Sequence, residues 1–568
     1  SYSVTGVQTC ALPISRPSAG IVPIPLPLFW WEGSGGGRVL AYRPAVGWYG
    51  TEREDMPRRL DALLAGAERH GLHHVGAFYG LGNHGGGPTR RMLREIAEWA
   101  GRHPDVAVVH SGLHGLFRAL QQEMAARAGT LDVPVHRGEL NFCLRGCYVS
   151  VAKLKTAFRA AEAAVVRAEA AESAISAALA LPPVGLGAAW DALLLNSFHD
   201  ILPGSLIERA CDEQLAWLGA ARHDALVTEN RALNALSRRV DTRRSREPEG
   251  DRPGSAVLLA WNPHPWEYRG PIELEASLDY RPIWEYRGRA GDLPVAVLDA
   301  NGNPLPHQVV ETEHSAMPQL PWRKRVVTQV SLPPMGWSIL EMAWDERVPA
   351  PSRDDALTAA RQDGSHAIEN GIYRVEAVPG GAGVKLWRGG REVFKGNGLG
   401  VVTVEDPGGS WGGMGEEPAS LDLSDVRDVW SVQSSDVLES GPERAVLAVL
   451  LTGGSSRLEL RFALYDGRPA VEVAARLFLN ERSARVKLCL PVDGRSATFE
   501  VPGGQVDRAP AGEVPGGRWV RVQTGRQRFG FASDALYGYD LKDGVLRVSL
   551  ARARDRKSTR LNSSHRIR

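Results

Sequence analysis

The first third of the chain alternates two hydrophobic rhythms. "HHVGAFYG" (73–80) is a short apolar and aromatic run closed by glycine, the signature of a buried strand. In "PTRRMLREIAEWAGRH" (88–103) the apolar positions fall at helical spacing. Met92, Ile96 and Trp99 mark one face, and Pro88 suits the first helical turn. "DVAVVHS" (105–111) reads as the next strand. Strand, helix and strand in succession, within residues 39 to about 140, predict a βαβ unit and so a parallel sheet or barrel.

From 145 to 240 the rhythm is helical throughout. An Ala-rich stretch from Val151 to Ala180 carries Leu154, Phe158, Val165, Ile175 and Leu179 near one face. A second helix is predicted from Ala188 to Asp200. Ser205 and Glu208 have the S-x-x-E spacing of a capping box and are expected to open a third helix through Leu215 and Leu218. Three helices with short connections predict a bundle.

"DTRRSREPEGDRPGS" (241–255) is charged, broken by Pro and Gly, and reads as a linker. Beyond it the pattern becomes short alternating strands separated by turn signals such as "NGNP" (301–304), "PGGAG" (379–383) and "YDGRP" (465–469). One or two β-sandwich domains are expected over 256–554. WEYRG occurs at 266–270 and again at 284–288, and no function follows from the repeat.

Composition narrows the function classes. A chain of 568 residues, 43% hydrophobic and 23% charged, has room for several soluble domains. Its formal charge of +1 offers no basic field for nucleic acid or an anionic membrane, and no apolar run is long enough to span a bilayer. Five cysteines without CxxC pairing argue for a reducing, cytoplasmic setting rather than a disulfide framework. Cys143 and Cys147, spaced i, i+4, are half a metal site or, more commonly, two buried thiols.

The two ends read as processing scars. VTGVQTCALPI (Val4 to Ile14) and DRKSTRLNSSH (Asp555 to His565) can be encoded by one DNA segment read on its opposite strands. That pattern matches a sequencing adapter, so residues 1–15 and 555–568 are expected to be non-native, and secretion stays open because a natural N-terminus is not expected in this sequence. The tail carries five Lys/Arg and one Asp and residues 1–15 carry no charge, so the remainder has a net charge of about −3.

Three segments could carry chemistry. "GLGNHG" (80–85) matches GxGxxG between a strand and a helix, the context of a dinucleotide site. No acidic residue follows about twenty positions on, and the glycines make a wider loop than a pyrophosphate turn needs. A ligand-binding βα loop, holding Asn83 and His84, fits better. His199 and Asp200 end the second predicted helix. An imidazole there can ligate a metal with the carboxylate beside it orienting a hydroxyl, or can simply be favoured by the helix dipole. Glu139 is either a general acid or an ion-paired carboxylate.

"GNHGGGPT" (82–89), "GELNFCLRGCYVSVAKLKTAFRAAE" (138–162) and "LLLNSFHDILPGSLI" (193–207), in this order, resemble glycoside hydrolase family 38, the retaining zinc-dependent α-mannosidases. "LLAWNPHPW" (258–266), "IENGIYRVE" (368–376) and "VPGGRWVRV" (514–522) look like that family's C-terminal β region. The resemblance implies an incomplete seven-stranded α/β barrel over 16–140, a three-helix bundle over 141–240 and β-sandwich domains over 256–554. It implies His199 as a zinc ligand, Asp200, Asn83 and His84 as substrate contacts, and Glu139 as the candidate acid/base. The implied partner is a mannose-containing oligosaccharide. Homo-oligomerisation stays open. The family's His-x-Asp zinc pair and nucleophilic Asp precede the segment matched by "LFWWEGSGGGRVL" (28–40), where no counterpart stands. The 568-residue chain is therefore expected to be inactive by itself. The rival readings are a non-catalytic sugar-binding protein on the same scaffold, with "GSGGGR" (33–38) as local divergence, and a nucleotide-dependent oxidoreductase resting on the Gly loop alone.

Overall fold

The computed structural model describes residues 26–43, 55–81, 87–140, 144–243, 245–249, 254–278, 294–311, 323–345, 357–362, 365–412, 423–525, 527–553 and 564–567. The chain divides into two compact units. The first contains Ser1–Arg145 with Gly413–Leu421 and Thr498–Arg508, and the second contains the remainder.

In the first unit, β1 (Leu28–Glu32) and β2 (Arg38–Tyr42) form an antiparallel hairpin, and β3 (Val135–Arg137) joins β1 in parallel with Trp30 opposite Val135. Between β2 and β3 in the chain lie helices α1 (Met56–His70), α2 (Arg90–Arg102) and α3 (Leu113–Ala126). The face read from sequence on α2 is the buried one. Met92, Ile96 and Trp99 pack on Met56 and Leu60 of α1, and the Trp99 indole N–H donates to Asp61 (2.7 Å). Thr89, not Pro88, begins α2, its hydroxyl accepting from the Met92 N–H at 3.2 Å.

The two strands expected at 73–80 and 105–111 do not form. These residues belong to no ladder, Asp105 and Val106 lie in a turn closed by the Val106 N–H on the His103 carbonyl (3.0 Å), and Val109 is 77% exposed. A strand is stabilised by neighbours on its edges. The described sheet of this unit has three strands, in the order β2-β1-β3. The predicted βαβ unit is thus replaced by helices beside a small mixed sheet, and no barrel closes among the described residues.

The second unit begins with helices. α4 (Ala152–Ala171) runs into a π turn at Glu172–Ser176, followed by α5 (Gly187–Asn196) and the long α6 (Glu208–Ser237). Leu154, Phe158 and Val165 of α4, Leu193 of α5 and Leu218, Ala221 and Ala225 of α6 share one core. Small Ala residues on the facing sides let α4 and α6 approach closely. Two boundaries differ from the sequence reading. α5 stops at Asn196, leaving His199 and Asp200 in the turns after it; at the stop the Asn196 amide and the Ser197 hydroxyl donate back to the Ala192 and Leu193 carbonyls. Ser205 does not cap α6. Its N-cap is Ile207, and the Ser205 hydroxyl donates instead to the Asp200 carbonyl at 3.4 Å.

The β region opens with two three-stranded antiparallel sheets. β4 (Ala256–Trp261) and β6 (Val295–Leu298) flank β9 (Trp337–Trp344), while β5 (Tyr268–Ser277) and β7 (His307–Val310) flank β8 (Arg323–Leu332). Leu274 and Val326 of one sheet pack on Val297, Leu340 and Met342 of the other. The predicted linker is stitched to this sandwich, since the Arg246 guanidinium donates to the Trp344 carbonyl (2.6 Å) and the Ser245 N–H to Glu341 (2.8 Å). Further on, Ser564–Ile567 pairs with the edge strand Glu472–Phe478 through its backbone, which demands little of sequence.

A six-stranded sheet follows, with Gly400–Glu405, Ala484–Pro491, Val545–Ala553 and Gly538–Lys542 as its inner strands and Val426–Val429 and Ala511–Pro515 at its edges. One face of it is a buried charge network. Arg485 pairs with Asp406 (2.8 Å) and Glu513 (2.5 Å), and Lys487 with Glu513 (2.7 Å) and Asp540 (2.5 Å). Arg552 closes on Asp406, and Arg547 on Asp540 (2.9 Å). Burial alone pushes the Glu513 carboxyl up, but Lys487 and Arg485 outweigh it and hold the group near pH 2, below its ordinary 4.5. A carboxylate lowered on folding stabilises fully above its unfolded value and loses that contribution as pH falls toward the folded value. The urea midpoint of the wild type should therefore exceed that of Glu513→Gln at pH 6, with the gap narrowing between pH 4.5 and 2. A gap independent of pH in paired denaturation series would contradict this assignment.

Candidate active site

The turns after α5 display the titratable pair. Phe198 N–H donates to Leu195 O, Ile201 N–H to Phe198 O and Gly204 N–H to Ile201 O, at 3.0, 2.9 and 2.8 Å. His199 and Asp200 sit on this staircase with their side chains 49% and 61% exposed. His199 Nε2 lies 3.7 Å from Asp200 Oδ2, close enough for attraction but too long for a hydrogen bond. The His199 ring leans on Phe198, centroids 4.3 Å apart. Along the same segment Leu194, Leu195, Phe198 and Ile207 are also exposed.

The backbone beneath the pair is pinned at both ends. Asn196, fully buried, donates from Nδ2 to Ala192 O (2.8 Å) and to Gln214 Oε1 (2.9 Å) of α6. At the other end, Lys155 of α4 donates to Leu202 O (2.9 Å). Gly204 adopts φ +77°, a conformation that glycine tolerates and most residues do not. The fixed backbone leaves the His199 and Asp200 side chains available for a ligand.

A tetrahedral zinc site takes four ligands, three or four of them from protein. Among the described residues there is no group of three or more His, Cys, Asp and Glu that could hold a metal ion. His199 can offer one nitrogen and Asp200 one carboxylate, so the described residues do not by themselves fit a zinc ion. Cys147 is partly buried and in no disulfide, while Cys143 lies outside the described residues.

Glu139, in the first unit, follows β3. Both of its oxygens accept from the Arg508 guanidinium, one at 2.7 Å. Arg508 is itself nearly buried, and its guanidinium lies over the Phe499 ring at 4.7 Å. The carboxylate is thus displayed as an ion-pair partner. A general acid must carry the proton it delivers, so proton transfer from Glu139 would require Arg508 to let go. Asn83 and His84 lie outside the described residues. Sequence reading did not find Arg508, because 369 positions separate it from Glu139.

Among the described residues, no helix is long and apolar enough to cross a membrane. Residues 143–236 match the alpha mannosidase middle domain, and residues 368–558 match the glycosyl hydrolases family 38 C-terminal domain. Human alpha-mannosidase 2C1 is 25% identical over 374 residues, 64% of this chain and 30% of that protein. A Saccharomyces cerevisiae alpha-mannosidase is 28% identical over 198 residues, 32% of this chain and 17% of that protein. The chain thus spans about a third or less of these relatives. Among solved structures, an alpha-mannosidase from Enterococcus faecalis V583 superposes with a TM-score of 0.72 at 14% identity, covering 94% of this chain and 66% of that one. With both domain models matched in order and the fold shared along nearly the whole chain, the protein belongs to glycoside hydrolase family 38.

Proposed function

We propose that the protein expressed from its natural gene is a zinc-dependent α-mannosidase that removes terminal α-D-mannosyl residues from oligosaccharides with retention of configuration. The observation that carries this reading is the exposed His199–Asp200 pair, held on a pinned backbone within a segment that matches an alpha mannosidase middle domain.

In a retaining glycosidase two carboxyl groups stand about 5–5.5 Å apart, one attacking the anomeric carbon and the other protonating the leaving oxygen. Asp200, with its carboxylate side chain exposed, is suited to accept hydrogen bonds from sugar hydroxyls and so to orient the ring. His199, half exposed, is proposed as one zinc ligand, the others lying beyond the described residues. No chemical step is assigned to the metal on these residues. Asn83 and His84 are proposed substrate contacts. Glu139 is the proposed proton donor, in a substrate-bound state in which Arg508 has released it.

The test is hydrolysis of an aryl α-D-mannoside by the protein from its natural gene, followed by proton NMR. Release of α-mannose before mutarotation supports the reading. Release of β-mannose would overturn retention. Saturable mannoside binding without turnover would favour a sugar-binding protein on the same scaffold.

A further inference from the structure

The turn that displays His199 and Asp200 is tied to the β region by a continuous chain of polar contacts through the interior of the second unit. Lys155 is 4% exposed, and its ammonium donates to two main-chain carbonyls, Leu202 O (2.9 Å) on the turn and Ser150 O (2.5 Å) before α4. The Ser150 carbonyl also abuts Gly204, where an added Cβ would lie 2.7 Å from that oxygen. The Ser150 hydroxyl is fully buried, donates to Ser410 O (2.7 Å) and accepts from Arg552 Nη1 (3.1 Å). Arg552 grips Asp406, which in turn holds Arg485.

We propose that Lys155 is a positioning residue for the His199–Asp200 pair. Its ammonium clips the turn to Ser150 and, through the Ser150 hydroxyl, to the Arg552–Asp406–Arg485 charge network. This rests on the reading that His199 and Asp200 form part of the active site. Lys155 donates to the turn at the Leu202 carbonyl, three residues past His199. Carbonyl oxygens need a donor when buried, and an ammonium carries three, so one lysine can hold two chain segments in register. Two independent features, the ammonium clip and the glycine contact, meet on the same Ser150 carbonyl.

The test uses the full 568-residue chain and two substitutions that act from opposite sides. Lys155→Met removes the donors while keeping much of the side-chain length. Gly204→Ala leaves Lys155 intact but drives a methyl against Ser150 O. Backbone hydrogen exchange is read by mass spectrometry across the chain, together with the imidazole NMR line of His199, assigned by its loss in His199→Gln. Both variants are expected to exchange about tenfold faster over residues 197–205, with α4, α6 and Ala484–Pro491 unchanged, and to shift the His199 line. Unchanged exchange and an unchanged line in folded Lys155→Met would overturn the proposal. So would a uniform rise across the whole unit, which would mark Lys155 as a general stability residue. If Lys155→Met does not fold, Lys155→Gln decides by the same criteria. None of these readouts depends on hydrolysis, so loss of the mannosidase reading and loss of the clip are told apart.

Discussion

Arg485→Met should destabilise the second unit by about 3–5 kcal/mol, the cost of removing one partner from a buried ion pair. Arg485 is fully buried between Asp406 and Glu513, and both carboxylates are nearly inaccessible to water. Methionine fills much of the space but leaves two carboxylates with less positive charge than they need. Lys487 still faces Glu513, and Arg552 still faces Asp406, so the loss falls short of full collapse. The measurement is the shift in urea midpoint at pH 7, read by circular dichroism on the chain. A loss below about 1 kcal/mol, the range of exposed pairs, would show that water reaches this network. Replacing the whole network with apolar residues at once is a different experiment, since well-packed substitutes for a buried ion pair are often neutral.

A second large effect is expected at His199. In the protein from its natural gene, His199→Gln should lower kcat/KM for an aryl α-mannoside by about 10³-fold, equivalent to about 4 kcal/mol, while leaving the fold intact. The side chain is half exposed and its ring contact is with the neighbouring Phe198, so its removal leaves no cavity in the bundle. An activity within a fewfold of wild type would place His199 outside the chemistry. A matching fall in thermal stability would instead point to a structural role.

Helix-forming faces were legible wherever apolar spacing decided burial. Met92, Ile96 and Trp99, and likewise Leu154, Phe158 and Val165, lie on the faces their spacing indicates. That the helix before Pro203 must end was legible from Pro203 and Gly204, but α5 ends already at Asn196, a few residues earlier than the periodicity suggested. What local pattern could not supply was partners. "HHVGAFYG" has the composition of a strand, but a strand needs an adjacent edge and none of the described strands pairs with it. Arg485 and Lys487 alternate with apolar residues in "ARVKLCLP", a pattern that reads as a solvated face. They are buried because Asp406, Glu513 and Asp540 arrive from segments 26 to 79 positions away. The same holds at the candidate site. His199 and Asp200 were named from adjacent letters in one motif, whereas the contacts that govern them, at Lys155, Ser150 and Gln214, come from other helices and loops.

The most direct test of the central claim is zinc content per polypeptide after dialysis against a mild chelator. Three samples are compared: the protein from its natural gene, its His199→Gln form, and the 568-residue chain. One zinc in the first sample, and substoichiometric zinc in the other two, is the predicted result. Zinc retained in full by His199→Gln would contradict the account, as would its absence from an active natural protein.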